Sequence, residues 1–322
     1  MTSLRARAGA FGRRVRDGVF GAQRHDEAVK ALDDLTRGQR ALAEELTAVR
    51  ADLQQIRNDV WASKVASVGD RLLVGSRHEK LVFLVEAEDE LIVPRFVVEG
   101  EYEPDTTAFV RQTVRDDSIC VDVGANFGYF TCLMGHLAWN GKVIAYEADP
   151  KIYELLLSNV SMNWCERNVD PVNAAVAAEV GELTLHRWLH RSGNTGVIAP
   201  PPDWVVESEA FTVPSITLDS LVGQFPRVDL VKIDVEGGES MVVAGMSEFV
   251  ASYRPTVILE WSPDQIVGGG STPVELAASV GAWDMDISAL GPGGRCSPIN
   301  FATLVSLPYQ NVVLTPRERR GA

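Results

Sequence analysis

The chain has 322 residues, with 44 Asp and Glu against 30 Lys and Arg and a net charge of −14. That length suffices for one sizeable domain plus an appendage, and the acidic balance excludes a general grip on nucleic acid, which needs a basic surface. The four cysteines, Cys120, Cys132, Cys165 and Cys296, form no C-x-x-C pair, and no apolar run approaches a membrane span, so the expectation is a cytoplasmic protein with reduced thiols and no secretion signal.

Residues 1–25 are basic: Arg5, Arg7, Arg13, Arg14 and Arg16 alternate with Leu4, Ala8, Phe11, Val15 and Val19 at helical spacing. Such a segment can touch an anionic membrane weakly, here the inner face, but Gly9, Gly12, Gly18 and Gly21 weaken the helix and favour a solvated terminus. Over residues 26–64, Ala28, Leu32, Leu35, Leu42, Leu46, Val49, Leu53, Ile56 and Val60 recur with alternating spacings of four and three. Only Gln39 interrupts this seam, and no proline does. A heptad repeat predicts a coiled-coil helix whose partner is a second copy, giving a homo-oligomer through residues 28–60. Residues 65–115 read as a lead-in: apolar runs at 81–85 and 91–98 flank the acidic turn 86–90 as a hairpin, and a helix covers 106–114.

From residue 116 to 316 strands and helices alternate, which predicts a mostly parallel sheet. The strands are expected at 119–123, 142–147, 172–176, 230–234, 256–260 and 283–287, with 311–314 antiparallel to the one before it. Residues 183–188 and 211–214 are extra strands outside the regular pattern. Helices are expected after Asp149-Pro150, over 218–224 and over 272–280; Asp149 can cap the first of these and Pro150 suits its first turn.

Two stretches carry chemistry. In the first, the apolar run 119–123 ends in Gly124-Ala125-Asn126-Phe127-Gly128, and a helical pattern follows. A strand, a tight glycine turn and a helix N-terminus bring backbone N–H groups towards a ligand. The next strand ends in Glu147, placed to accept ribose hydroxyls. Dinucleotides, nucleoside triphosphates and S-adenosylmethionine compete for that layout. Gly124 and Gly128 stand in G-x-x-x-G, with Asn126 where a pyrophosphate loop needs glycine, and no P-loop motif occurs. In the second stretch, Lys232-Ile233-Asp234-Val235-Glu236-Gly237-Gly238-Glu239, a lysine sits inside a strand and carboxylates gather at its end, where open α/β sheets bind ligands. Desolvating like charges there is costly unless they meet a cation or share a proton.

The segments Asp122-Val123-Gly124-Ala125-Asn126, Tyr146-Glu147-Ala148-Asp149-Pro150, Asn173-Ala174-Ala175-Val176, Thr217-Leu218-Asp219 and Lys232-Ile233-Asp234-Val235-Glu236-Gly237 resemble, in order and spacing, the FkbM family of class I S-adenosylmethionine-dependent methyltransferases. The resemblance covers about residues 95–316 and leaves the coiled coil outside. It implies a Rossmann-like, mostly parallel seven-stranded α/β sheet with helices on both faces, and O-methylation of a sugar, glycan or natural-product hydroxyl. It also implies a donor site formed by Asp122, Gly124, Asn126, Gly128, Thr131, Glu147, Asn173 and Ala174. An alcohol is a weak nucleophile, so a base or a metal should assist. Asp234 and Glu236 are the candidates for either role, His190 in the polar insertion is a further candidate base, and either Glu260 or His190 would complete a magnesium site with Asp234 and Glu236. The rival reading is an oligomeric scaffold whose methyltransferase-like domain binds the cofactor without turning it over.

Overall fold

A computed structural model of the chain describes Lys30 and residues 36–43, 45–49, 65–77, 80–90, 92–188, 195–198 and 208–317. The chain divides into two compact units, Met1–Asn58 and Asp59–Ala322. In the first, the described residues 36–43 and 45–49 are helical, and Leu42, Leu46 and Val49 of the heptad seam are exposed at 67%, 52% and 47%. Gln39, which interrupts the seam, is exposed as well; the remaining apolar seam positions, and the basic terminus, lie outside the described residues.

The second unit is built on an eight-stranded sheet. Its parallel centre comprises β4 (Ile119–Val123), β5 (Lys142–Tyr146), β6 (Val169–Val172), β10 (Leu230–Ile233) and β11 (Thr256–Trp261). Its antiparallel edge comprises β12 (Met285–Gly291), β13 (Arg295–Pro298) and β14 (Gln310–Pro316), and the order is β13-β12-β14-β11-β10-β4-β5-β6. The sheet thus has eight strands rather than seven, because the chain turns back after β12 and β13 pairs antiparallel along it. Near-unbroken apolar sequence makes these central strands: all of Leu230–Ile233 is buried, as a parallel sheet covered on both faces requires. The register aligns Val123 with Ile233 and Tyr146, and Ile233 with Leu259. The loops after β4, β5, β10 and β11 therefore emerge at one end of the sheet.

Helices α3 (Tyr129–Leu137) and α4 (Pro150–Met162) bury one face of the sheet, while α5 (Glu239–Ala244), α6 (Ser247–Tyr253) and α8 (Pro273–Gly281), with α7 (Pro263–Gly268) beside them, belong to the core on the other. Asp149 caps α4, accepting from the Lys151 amide at 2.8 Å, and Thr272 with Glu275 forms a capping box on α8.

Three sequence expectations change. Residues 92–98 are not part of a hairpin's second arm but of α1 (Ile92–Glu99), and β3 (Val82–Glu86) pairs instead with β2 (Arg71–Gly75), which pairs with β1 (Val65–Val68). Asp89 accepts from the Ile92 and Val93 amides at 2.6 and 3.3 Å, and Pro94 falls in the first turn, where its missing N–H costs nothing. The short apolar run fitted either structure, and the cap decides for helix. The single strand expected at 172–176 splits at Asn173: β6 stays in the main sheet, and β7 (Ala175–Val176) joins a second sheet with β8 (Gly181–Trp188) and β9 (Ser208–Ile216) in the order β7-β9-β8. The helix expected over 218–224 is a single 3₁₀ turn, Leu218–Leu221, capped by Thr217.

The lead-in shares the core beneath the large sheet. The Asn159 amide on α4 acts as a strand partner for Leu84, accepting from its N–H at 2.6 Å and donating to its carbonyl at 2.9 Å. Phe83 and Phe96 pack with Phe127 and Tyr129 at ring separations of 5.3–6.0 Å. That packing fixes the start of α2 (Pro104–Thr113), and with it Tyr102 and Glu103, against the sheet end. Among the described residues no helix is long and apolar enough to cross a membrane. Cys120, Cys132 and Cys165 are buried free thiols, while Cys296 is exposed.

Candidate active site

A cleft opens at the carboxyl ends of β4, β5 and β10, the end of an open α/β sheet where ligands bind. The turn after β4 forms its floor. Gly124 has φ +80°, and a Cβ there would stand 1.7 Å from the Asp234 carbonyl oxygen. At Gly128, with φ +92°, a Cβ would stand 2.6 Å from Leu156 Cδ1. The glycines are thus demanded by contacts within the protein: one lets the β4 and β10 loops touch, the other seats α3 on α4.

The turn amides are also used internally. Gly124 and Ala125 both donate to the Tyr146 carbonyl, at 3.0 and 2.9 Å, Phe127 donates to Asn126 Oδ1, and Gly128 donates to the Ala125 carbonyl. The Asn126 amide donates to Glu147 Oε2 at 2.7 Å from a left-handed residue, φ +51°, a conformation asparagine tolerates. The expected row of N–H groups offered to a ligand is instead a clamp on the end of β5. Its product is a fixed Glu147: Oε1 accepts from the Asp149 amide at 2.8 Å, while Asn173 Nδ2 holds the Glu147 and Ala148 carbonyls at 2.9 and 3.0 Å. Burial pushes the Glu147 carboxyl up to about 7, against the lowering effect of the two amide bonds.

Gly124, Asn126, Glu147 and Ala174 line the cleft. Asp122 and Thr131 lie beneath it: Asp122 is 1% exposed and accepts from Thr131 Oγ1 at 2.6 Å. Burial raises the Asp122 carboxyl while Lys232 and Thr131 oppose the shift. His190 lies outside the described residues. Of the insertion, Thr195, Gly196 and Val197 reach the cleft wall.

The opposite wall is acidic. Lys232 is 3% exposed, donates to Asp234 Oδ2 at 2.7 Å and lies 4.7 Å from the centre of the Phe130 ring. Burial opposes its charge, but Asp234, Glu103 and Asp122 outweigh burial and hold it above the ordinary lysine value. Glu236, at φ +51°, accepts from Gln265 Nε2. Glu239 Oε1 accepts from the Val235 and Gly237 amides at 3.2 and 3.3 Å. Asp234, Glu236 and Glu260 each offer an oxygen within 4.8 Å of the others. Burial, then the neighbouring Asp234 charge, drives Glu236 and Glu260 well above the usual carboxylate range, and burial brings Glu239 to about 7.

Several members of this wall carry no local sequence signal. Glu103 is brought to Lys232 by the lead-in and is held by Asn311 Nδ2 at 2.8 Å, across 208 positions of chain. Tyr102 lines the cleft from the same turn, and Gln265 reaches Glu236 from α7. Glu103 is held in a left-handed conformation, φ 43°, directly before Pro104, which no sequence pattern announces.

Curated relatives include the methyltransferase sdnD of Sordaria araneosa, 25% identical over 174 residues that cover 45% of this chain and 67% of that protein. The hexuronic acid methyltransferase AglP of Haloferax volcanii is 25% identical over 158 residues, 48% of this chain and 61% of that protein. The chain thus spans about two thirds of the length of the curated relatives it matches. Among solved structures, a precorrin-6y C5,15-methyltransferase from Geobacter metallireducens is 15% identical with a TM-score of 0.39, covering 67% of this chain and 89% of that one. An O-methyltransferase from Bacillus cereus in complex with SAH is 12% identical with a TM-score of 0.39, covering 71% and 90%. Residues 122–284, which include Glu147, Lys232, Asp234, Glu236 and Glu260, match the model of the methyltransferase FkbM domain, and the chain belongs to that family of methyltransferases.

Proposed function

We propose that the chain is an S-adenosylmethionine-dependent O-methyltransferase for a hydroxyl of a sugar, glycan or natural product. The observation that carries this reading is one cleft with a backbone-clamped acid on one side, Glu147, and the Lys232–Asp234–Glu236 wall on the other. The donor fits the residues present. After its two amide bonds each Glu147 oxygen keeps a lone pair for a ribose hydroxyl, and Gly124, Ala125, Ala148, Ala174 and Ala175 leave room beside it. When bound, S-adenosylmethionine supplies a methyl group on a sulfonium, an electrophile that needs no further activation. The protein's task is to align the acceptor oxygen and remove its proton. As that oxygen bonds to the methyl carbon and the carbon–sulfur pair returns to sulfur, the proton passes to Asp234. Lys232, hydrogen-bonded to Asp234 and buried, keeps that carboxylate in place.

Methyl transfer from labelled donor, screened against sugars and natural-product hydroxyls, tests this. In Asp234→Asn, turnover should fall roughly 100-fold or more, with S-adenosylhomocysteine binding changed by less than about threefold. Full turnover in that variant would show that Asp234 is not the proton acceptor.

We also infer that the helix of the first unit joins copies of the chain. Leu42, Leu46 and Val49 follow one another at spacings of four and three, and all are exposed on a single chain, the pattern that packs into a second such helix. Deleting residues 1–58 should lower the mass measured by light scattering to that of one chain; an unchanged mass rules the inference out.

A further inference from the structure

Asp234, Glu236 and Glu260 converge from three places. Asp234 follows β10, Glu260 lies near the end of β11, and the pairing of Ile233 with Leu259 sets the two strand ends side by side. Glu236 comes back over them through two consecutive left-handed residues, with φ +51° at Glu236 and +93° at Gly237. A non-glycine residue costs about 1 kcal/mol or more in that conformation.

A second observation concerns what these groups lack. Glu260 is 5% exposed, and its Oε2 has no hydrogen-bond partner. Beside the cluster Glu239 is fully buried, with its Oε2 likewise unpartnered. A buried polar atom without a partner costs roughly 1–3 kcal/mol, and more if charged, so two in one place call for an explanation. Lys232 does not supply it, because its ammonium is already hydrogen-bonded to Asp234 and shared with Glu103.

We propose that Asp234, Glu236 and Glu260 bind a hard divalent cation, magnesium or manganese, which presents the acceptor to the methyl donor. All three donors are carboxylate oxygens, the ligand type such ions select, and three of them leave coordination positions for water and for substrate. One oxygen per carboxylate is enough, so the Lys232–Asp234 and Gln265–Glu236 bonds persist. The acceptor class follows: a molecule offering two adjacent oxygens, a vicinal diol or a hydroxy acid, which chelates the ion and lays one hydroxyl towards the donor. The ion also lets an acidic wall accept an anionic sugar, which it would otherwise repel. With the ion in place Asp234 is its ligand. The hydroxyl on the ion loses its proton more readily, and the Asp234 oxygen that is not on the ion takes that proton.

This inference rests on the methyltransferase reading, and one set of samples separates the two. Full-length protein freed of metal by a chelator is titrated with manganese alone, and free ion is followed by electron paramagnetic resonance. The expectation is uptake of one ion per chain, weakened roughly tenfold or more in Glu260→Gln and in Asp234→Asn, with unchanged far-ultraviolet circular dichroism. No stoichiometric uptake, or uptake that survives both substitutions, overturns the cation site. S-adenosylhomocysteine titrated into the same samples should bind wild type and Glu260→Gln alike; failure to bind wild type overturns the methyltransferase reading instead.

Discussion

Two acidic regions face each other across the cleft, and they differ in how their charge is met. Glu147 is enclosed by its own backbone: the Asn126 and Asp149 amides hold its two oxygens, and Asn173 holds the carbonyls around it. Across the cleft Asp234, Glu236 and Glu260 crowd together, and Glu260, beside Asp234 and the Tyr309 hydroxyl, keeps its Oε2 without a hydrogen-bond partner. Both regions are buried and both contain carboxyls raised by burial. The difference teaches that burial alone does not define a role. A carboxylate satisfied by fixed amides is set in position for neutral hydroxyls, whereas a cluster left unsatisfied is set for a proton or a cation.

The largest effect is expected where the two regions meet. The Gly124 amide clamps the end of β5 just before Glu147, and its Cα lies against the Asp234 carbonyl. Gly124→Ala forces a methyl group to within 1.7 Å of that oxygen at a φ of +80°. The loss in stability should be about 3 kcal/mol or more, read from denaturant unfolding as a lower midpoint. A variant as stable as wild type would show that the β4 and β10 loops are not locked together, and the two walls would then be independent.

Much of this frame was legible in the sequence. The strands carrying Asp122, Lys142 and Lys232 show as apolar runs because a parallel sheet is buried on both faces, and the capping of α4 by Asp149 reads directly from Asp149-Pro150. The cofactor-side motif was legible in its residues but not in its reason. Gly124 and Gly128 suggest room for a ligand, yet the close neighbours of their missing side chains are Asp234 and Leu156. The other wall was half legible. Asp234, Glu236 and Glu260 stand at strand ends, but Glu103, Asn311 and Gln265 join them only through tertiary packing, and no local pattern reports a contact over 208 positions. Helix α1 reads equally as a strand because eight apolar-rich residues fit both periods, and only the Asp89 cap separates them.

A smaller and more selective effect belongs to Glu147. Burial raises its carboxyl to about 7, so the ligand-free fold keeps a proton there that the unfolded chain begins to release near its ordinary value of 4.5. That contribution to stability is complete below 4.5 and is lost as pH rises through about 7. Ribose hydroxyls donate to the ionised form and so should be bound best above that value. The most direct test of the account is a calorimetric titration of S-adenosylhomocysteine into wild type and Glu147→Gln between about pH 6 and about pH 8. The account predicts binding to wild type that tightens roughly tenfold over that interval, with proton release, and weaker, pH-independent binding to Glu147→Gln. Equal affinities in the two proteins at every pH would contradict it.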